Sequence, residues 1–240
     1  MTLNIFETAD ETLTGLAEYF LDVAQERIAE TGRFSVALSG GSSPKKLYEI
    51  LAQSHAGDLD WSKVFFFFGD ERNVPHTDKD SNYLMAKTAL FDPLNIDPAH
   101  VFPVPTELGP EKAAAAYTET IAAFFGGGPQ VFDLVLLGLG DNSHTASLFP
   151  HTTILTDTSV GVKEVFLPEE NVYRISLTAP LINQALNIAY LVYGKGKALA
   201  VRHIIEDEED IQQFPAQLID PTEGDLQWFL DEDAASELSE

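Results

Sequence analysis

The chain contains no cysteine, which excludes a disulfide scaffold, a cysteine nucleophile and a thiolate zinc site. Positive charge is scarce. Fourteen basic residues face 38 acidic ones, a formal net charge of −24. Nucleic acid and anionic membranes need a basic footprint, so neither is expected as a partner. Long apolar runs are missing too. Val64–Phe68 and Val131–Leu137 are among the longest, far below the ~20 residues of a spanning helix. The N-terminus MTLNIFETADE carries acids where a signal peptide has a basic start and an apolar run. The expectation is a cytoplasmic protein. An acidic surface of this kind also suits a salt-adapted cytoplasm.

What is present is globular. With 45% hydrophobic and 22% charged residues, 240 residues make one domain over 1–240 with ample core. Asp10 is the expected N-cap of a first helix. Leu13, Leu16, Ala17, Phe20, Ala24 and Ile28 recur along it at helical spacing, and Gly32 stops it. Strands are expected at 34–38, 64–68, 101–104, 131–137, 162–167, 172–177, 188–193 and 226–230. Helices are expected after Pro44, across 83–90, 111–125, 180–186 and 197–205. Strands alternating with helices, and apolar on both faces, predict an α/β protein with a Rossmann-like, mostly parallel sheet covered by helices.

Ligands of such sheets sit at the carboxyl ends of the strands, and four of those ends carry unusual residues. Ser39-Gly40-Gly41-Ser42-Ser43-Pro44 lets the backbone turn tightly. Ser43 is a plausible cap, and the helix start offers free N–H groups to an anion, with Lys45 and Lys46 nearby. Gly69-Asp70-Glu71-Arg72 places an arginine, braced by Asp70 or Glu71, where it can fork onto a phosphate. Gly138-Leu139-Gly140-Asp141-Asn142-Ser143-His144 puts a histidine just beyond a glycine turn, suited to act as a base toward water. Gly194-Lys195-Gly196-Lys197 ends a fourth strand. The other histidines (His55, His76, His100, His151 and His203) are read as structural or merely exposed, and the acidic run 206–210 as a solvated helix end. Lys45, Lys46, Arg72, Lys195 and Lys197 are five of the fourteen basic residues, gathered where a small anion would bind.

The segments LSGGSSPKKLYEIL, FFFFGDERNVPHTDKDSNYLMAKTAL, FDLVLLGLGDNSHTASLFPHT, YRISLTAPLINQA, YLVYGKGKA and LQWFLDEDAA follow in order over nearly the whole chain. Together they resemble the 6-phosphogluconolactonases, of the larger group that includes the glucosamine-6-phosphate deaminases. The resemblance implies hydrolysis of 6-phospho-D-glucono-1,5-lactone to 6-phosphogluconate, in the oxidative pentose phosphate pathway, with no metal and no organic cofactor. It implies a small sugar-phosphate lactone as the partner, and a monomer is compatible with it. His144 matches the family's water-activating histidine. Gly40, Gly41, Ser42, Ser43 and Arg72, with Asp70 beside it, match phosphate- and substrate-binding positions. Lys197 matches the lysine of a Gly-x-x-Lys segment, and Arg174 falls at the sugar pocket. One departure is Asn142-Ser143 where the family has Asp-Gly before the histidine, with an acid at Asp141 instead. The oxyanion donor is expected among turn N–H groups near Gly140 or Gly41, or in Arg72. The competing readings are a deaminase, which would need an acid where Phe149 stands, and a catalytically inactive sugar-phosphate sensor.

Overall fold

The computed structural model describes residues 1–239. Among the described residues nine strands form two sheets. Six make a wholly parallel sheet in the order β1 (Thr2–Phe6), β9 (Asp225–Asp231), β8 (Asn187–Val192), β5 (Leu134–Leu137), β2 (Phe34–Leu38), β3 (Val64–Phe68). The other three, β4 (Asp70–Arg72), β7 (Val172–Leu177) and β6 (Val162–Leu167), form a separate antiparallel sheet. Helices α1 (Ala9–Thr31), α2 (Ser42–Ser54), α3 (Asn82–Ala86), α4 (Asp92–Leu94), α5 (Pro110–Phe124), α6 (Ala179–Ile182), α7 (Ala198–Ile205) and α8 (Glu232–Ala235) surround them. This is the α/β class expected. Among the described residues no helix is long and apolar enough to cross a membrane.

The apolar runs become central strands because both of their faces are covered. Every residue of β2 and β5 is buried. The phenylalanines of β3 seed an aromatic cluster, with Phe67 stacked on Phe102 at 4.5 Å and edge-on to Phe124 and Phe132. Helix α1 buries Leu13, Leu16, Ala17, Phe20 and Ala24 as their spacing predicts, and Gly32 closes it in the left-handed conformation (φ 81°). Its N-cap is Thr8 rather than Asp10. Thr8 Oγ1 accepts from the Glu11 N–H, and the Glu11 carboxylate accepts from the Thr8 N–H, a capping box that satisfies two otherwise open donors.

Other boundaries move for local reasons. The segment 101–104 makes only one bridge, Val101 to Phe66. The helix expected over 83–90 starts at Asn82, widens into a π turn at Lys87–Phe91 and ends in α4. Strands β6 and β7 exist as expected but form a hairpin outside the parallel sheet. Gly69 joins the two sheets: its N–H donates to Leu38 O (2.8 Å) and its carbonyl accepts from the Leu177 N–H (2.9 Å). The corner carries the chain from the buried end of β3 into the polar strand β4.

Gly224, just before β9, marks another close approach. A Cβ there would lie 2.1 Å from the backbone oxygen of Ala185. Backbone cannot yield as a side chain can, so Gly224→Ala is expected to cost ~1–3 kcal/mol, read as a thermal midpoint lower by several degrees. Gly224 does not line the pocket described below, so the folded variant should keep its pocket chemistry.

Candidate active site

In this sheet β2 is followed by a strand on one side and β5 by a strand on the other. The loops leaving these two neighbours diverge and open a crevice between them, the switch point of an open parallel sheet. A cavity of about 380 Å³ lies there. Gly40, Gly41, Ser42, Ser43, Asp70, Arg72, His144, Arg174 and Lys197 all line it. Lys45, Lys46 and Lys195 do not line it. Lys45 pairs with Glu49 along α2, and Lys46 lies over the ring of Tyr193.

The first wall is the loop after β2. The buried Tyr48 hydroxyl donates to Ser39 O (2.8 Å) and accepts from the Ser39 N–H (3.0 Å), pinning the loop's start. Gly41, at φ 109°, is the N-cap of α2, and no side chain caps the helix. Ser43 is therefore not the cap: it lies inside the first turn. The first N–H groups of α2 have no intrahelical partner and stay open to an anion. A Cβ on Gly40 would fall 2.0 Å from Asn82 Oδ1. The missing side chain lets this loop close over the Asn82 amide, which donates to Asp70 O (2.9 Å) and Asp70 Oδ1 (3.1 Å).

The second wall carries His144. The Ser143 N–H donates to Gly140 O (2.9 Å) and the Gly140 N–H to His144 O (2.8 Å), with Ser143 at φ 62°. This tight turn folds the imidazole back over Gly140, where a Cβ would stand 2.0 Å from Nδ1. Nδ1 lies 2.5 Å from Asn142 Oδ1, which also accepts from the His144 backbone N–H (3.4 Å). A backbone N–H only donates, so we assign the shared atom as the amide oxygen and the ring proton to Nδ1. Nε2 keeps its lone pair. Phe149 stacks on the ring at 4.1 Å. Burial above all holds the imidazole pKa down, to about 4; the nearby charges of Lys197 and Arg174 act in the same direction, against Asp70 and Asp141. The ring is neutral at neutral pH.

The departure at 141–142 is thereby resolved. The ring's hydrogen-bond partner is the Asn142 amide, while Asp141 is ion-paired with Lys197. The Gly140 N–H, spent on the His144 carbonyl, drops out as an oxyanion donor.

The acids after β3 do not brace Arg72. The Glu71 carboxylate turns inward and accepts from the N–H groups of Arg72 (2.8 Å), Asn82 (2.7 Å) and Tyr83 (2.9 Å) and from Ser81 Oγ (3.1 Å). Burial pushes its pKa up. Asp70 accepts from Ser147 Oγ (2.6 Å) on the histidine loop and from Asn82. Arg72 is held instead by the Asp80 carbonyl, 2.9 Å from Nη1, and its buried Nε has no partner.

The antiparallel sheet adds what the strand ends alone do not show. Its register sets Arg72 directly opposite Arg174. Like charges facing across a strand pair are unfavourable unless an anion joins them. Arg174 touches Glu170 on the rim (3.0 Å), a residue that carried no motif in the sequence. Asn82 and Ser147 were missed as well, being ordinary polar residues until the fold aims them at Asp70. Among the described residues no three His, Asp or Glu side chains gather as a metal-binding group.

The profile of the family described as glucosamine-6-phosphate isomerases/6-phosphogluconolactonase matches residues 7–228. The chain is 44% identical to a 6-phosphogluconolactonase of Synechocystis sp. over 216 residues, 88% of this chain and 87% of that one. Its structure is similar to that of a 6-phosphogluconolactonase from Trypanosoma brucei, with a TM-score of 0.88 at 31% identity over 99% of this chain and 98% of the other. A monomeric glucosamine-6-phosphate deaminase shares the fold, with a TM-score of 0.82 at 21% identity over 99% of this chain and 100% of that one.

Proposed function

The chain belongs to the glucosamine-6-phosphate isomerase/6-phosphogluconolactonase family, and from that premise we propose how its pocket hydrolyses 6-phospho-D-glucono-1,5-lactone to 6-phosphogluconate. The carrying observation is an imidazole whose Nδ1 is engaged by the Asn142 amide, in one cavity with three cations. The phosphate lies among Arg72, Arg174 and Lys197 and against the open N–H groups of the 40–43 loop. Binding energy taken there, remote from the reacting carbon, fixes the ring for attack.

His144 Nε2 takes a proton from water as the water oxygen adds to the lactone carbonyl. The tetrahedral intermediate collapses by breaking the bond to the ring oxygen, and the imidazolium returns the proton to that oxygen. The carboxylic acid formed then ionises. A ring with so low a pKa is a weak base but a ready acid, matched to protonating an alkoxide leaving group. Asp70 and Asp141, the charges that favour the protonated ring, stabilise the imidazolium while it exists. Phe149 stands where the deaminase reading needs a carboxylate and offers only its ring face to His144.

We take residues 1–240 as one catalytic unit, working as a monomer in the cytoplasm and needing no cofactor. The test is loss of freshly made phosphogluconolactone measured against its spontaneous rate. The expected result is acceleration at pH 7 that a chelator leaves unchanged. No acceleration would move the reading to a sugar-phosphate sensor, and a requirement for a divalent ion would overturn the cofactor assignment.

Asn142→Asp is expected to raise the His144 pKa from about 4, because a carboxylate at Nδ1 favours the protonated ring. The acid limb of the kcat/KM profile should then move to higher pH. Asp141→Asn should move it little and in the opposite direction, since that charge is already engaged by Lys197. Profiles of both variants check this, and a flat response to Asn142→Asp would mean that the amide does not hold the titrating ring.

A further inference from the structure

On the reading that the substrate phosphate sits among Arg72, Arg174 and Lys197, the ligand-free protein must hold three cations in one small cavity. It does so unequally. Lys197 Nζ is ion-paired with Asp141 Oδ1, and Arg174 Nη2 lies 3.0 Å from Glu170 Oε2. The cations are set into the wall, with side chains 30% and 16% exposed, whereas Asp141 is 80% and Glu170 56% exposed. Among the described residues no acid pairs with Arg72, whose Nη1 meets only the Asp80 carbonyl.

We propose that Asp141 and Glu170 are displaceable counter-ions of the phosphate site: they occupy Lys197 and Arg174 in the free enzyme, yield them to the substrate phosphate, and reclaim them as product leaves. Carboxylates this exposed lose little on returning to water, because a surface pair contributes little to begin with. Glu170 also has somewhere to go. It lines both the cavity that holds His144 and an adjoining one of about 520 Å³, walled by Arg72, Asn73, Asp80, Tyr173 and Arg174. The need for such a device follows from the reaction. Hydrolysis turns a phosphate ester of a neutral lactone into a phosphate ester that also bears a carboxylate, so the product carries one more negative charge than the substrate. A site with three uncompensated cations would hold that product; rim acids competing for two of them shorten its stay.

The test is competitive inhibition of lactone hydrolysis by inorganic phosphate and by 6-phosphogluconate at low ionic strength. The proteins compared are the parent, Asp141→Asn, Glu170→Gln and the double variant. Each single change should tighten inhibition by phosphate roughly 2–5-fold, and the two together should approach the product of the single effects. The gain should shrink as salt screens the exposed charges. Progress curves of the double variant should bend earlier as product accumulates. Phosphate inhibition that is unchanged or weaker in both single variants overturns the proposal, because the acids would then be organising the cations rather than competing for them. A parent enzyme that phosphate does not inhibit competitively would remove the phosphate site itself, and this inference with it.

Discussion

His144→Ala is expected to lower kcat by ~10²–10⁴, the span that loss of a positioned general base produces. Affinity for 6-phosphogluconate should change little, because in this mechanism the imidazole acts on the attacking water and the leaving oxygen and not on the phosphate. The same substitution should also leave a mark on stability. The ring titrates at about 4 in the folded protein and near its ordinary value, about 6.5, when unfolded. As pH falls through 6.5, the unfolded chain takes up a proton that the folded chain refuses until about 4. Stability contributed by this residue is therefore full above pH 6.5 and lost as pH falls toward 4. At pH 5 the difference is roughly 2 kcal/mol. The alanine variant, free of that penalty, should gain on the parent between pH 8 and pH 5 in denaturant unfolding. A variant retaining more than about a tenth of kcat would show that His144 is not the base, and equal pH dependence of stability would show that the ring is not held neutral by burial.

Much of this site was legible in the sequence because it sits at strand ends, where apolar runs stop abruptly at glycine and charge. The loops 39–43 and 138–144 declare themselves in that way, and the fold sets them side by side at the switch point. The alternation of buried strands with helices similarly marked the parallel sheet. What stayed hidden depends on pairing between distant segments. β4 is three polar residues, Asp-Glu-Arg, and β1 is a half-exposed edge strand; neither has the periodicity of a buried strand. Without β4 the antiparallel sheet is invisible, and with it the register that faces Arg72 with Arg174. The part each acid plays was equally unreadable. Asp70, Glu71 and Asp141 all lie in tight clusters with cations or glycines. Yet Glu71 is consumed by backbone donors and Asp70 by Ser147 and Asn82, while only Asp141 finds a cation. Composition names the acid; the path of the neighbouring backbone decides what it meets. Thr8 displaced Asp10 as the first cap by the same logic, since the reciprocal bond to Glu11 is available only three residues downstream of Thr8.

Arg72→Ala should weaken binding of phosphogluconolactone and of 6-phosphogluconate by about 10–150-fold, the equivalent of charge-assisted hydrogen bonds worth ~1.5–3 kcal/mol. Its guanidinium spends Nη1 on the Asp80 carbonyl and leaves a buried Nε without a partner, a geometry completed by an anion rather than by the protein. Removing it also relieves the facing charge of Arg174, so folded stability should not fall as binding does. That separates an anchor from a structural ion. Unphosphorylated gluconolactone, which never uses the contact, should lose far less in kcat/KM, and equal losses on the two lactones would mean that Arg72 acts at the carbonyl or on the fold. Arg72→Lys sharpens the distinction. An ammonium keeps the charge but not the planar fork, so it cannot hold the Asp80 carbonyl and a phosphate oxygen together. If the fork is what matters, lysine should recover only part of the loss, chiefly at low salt where a bare charge still attracts the dianion. If charge alone matters, lysine should restore binding almost fully.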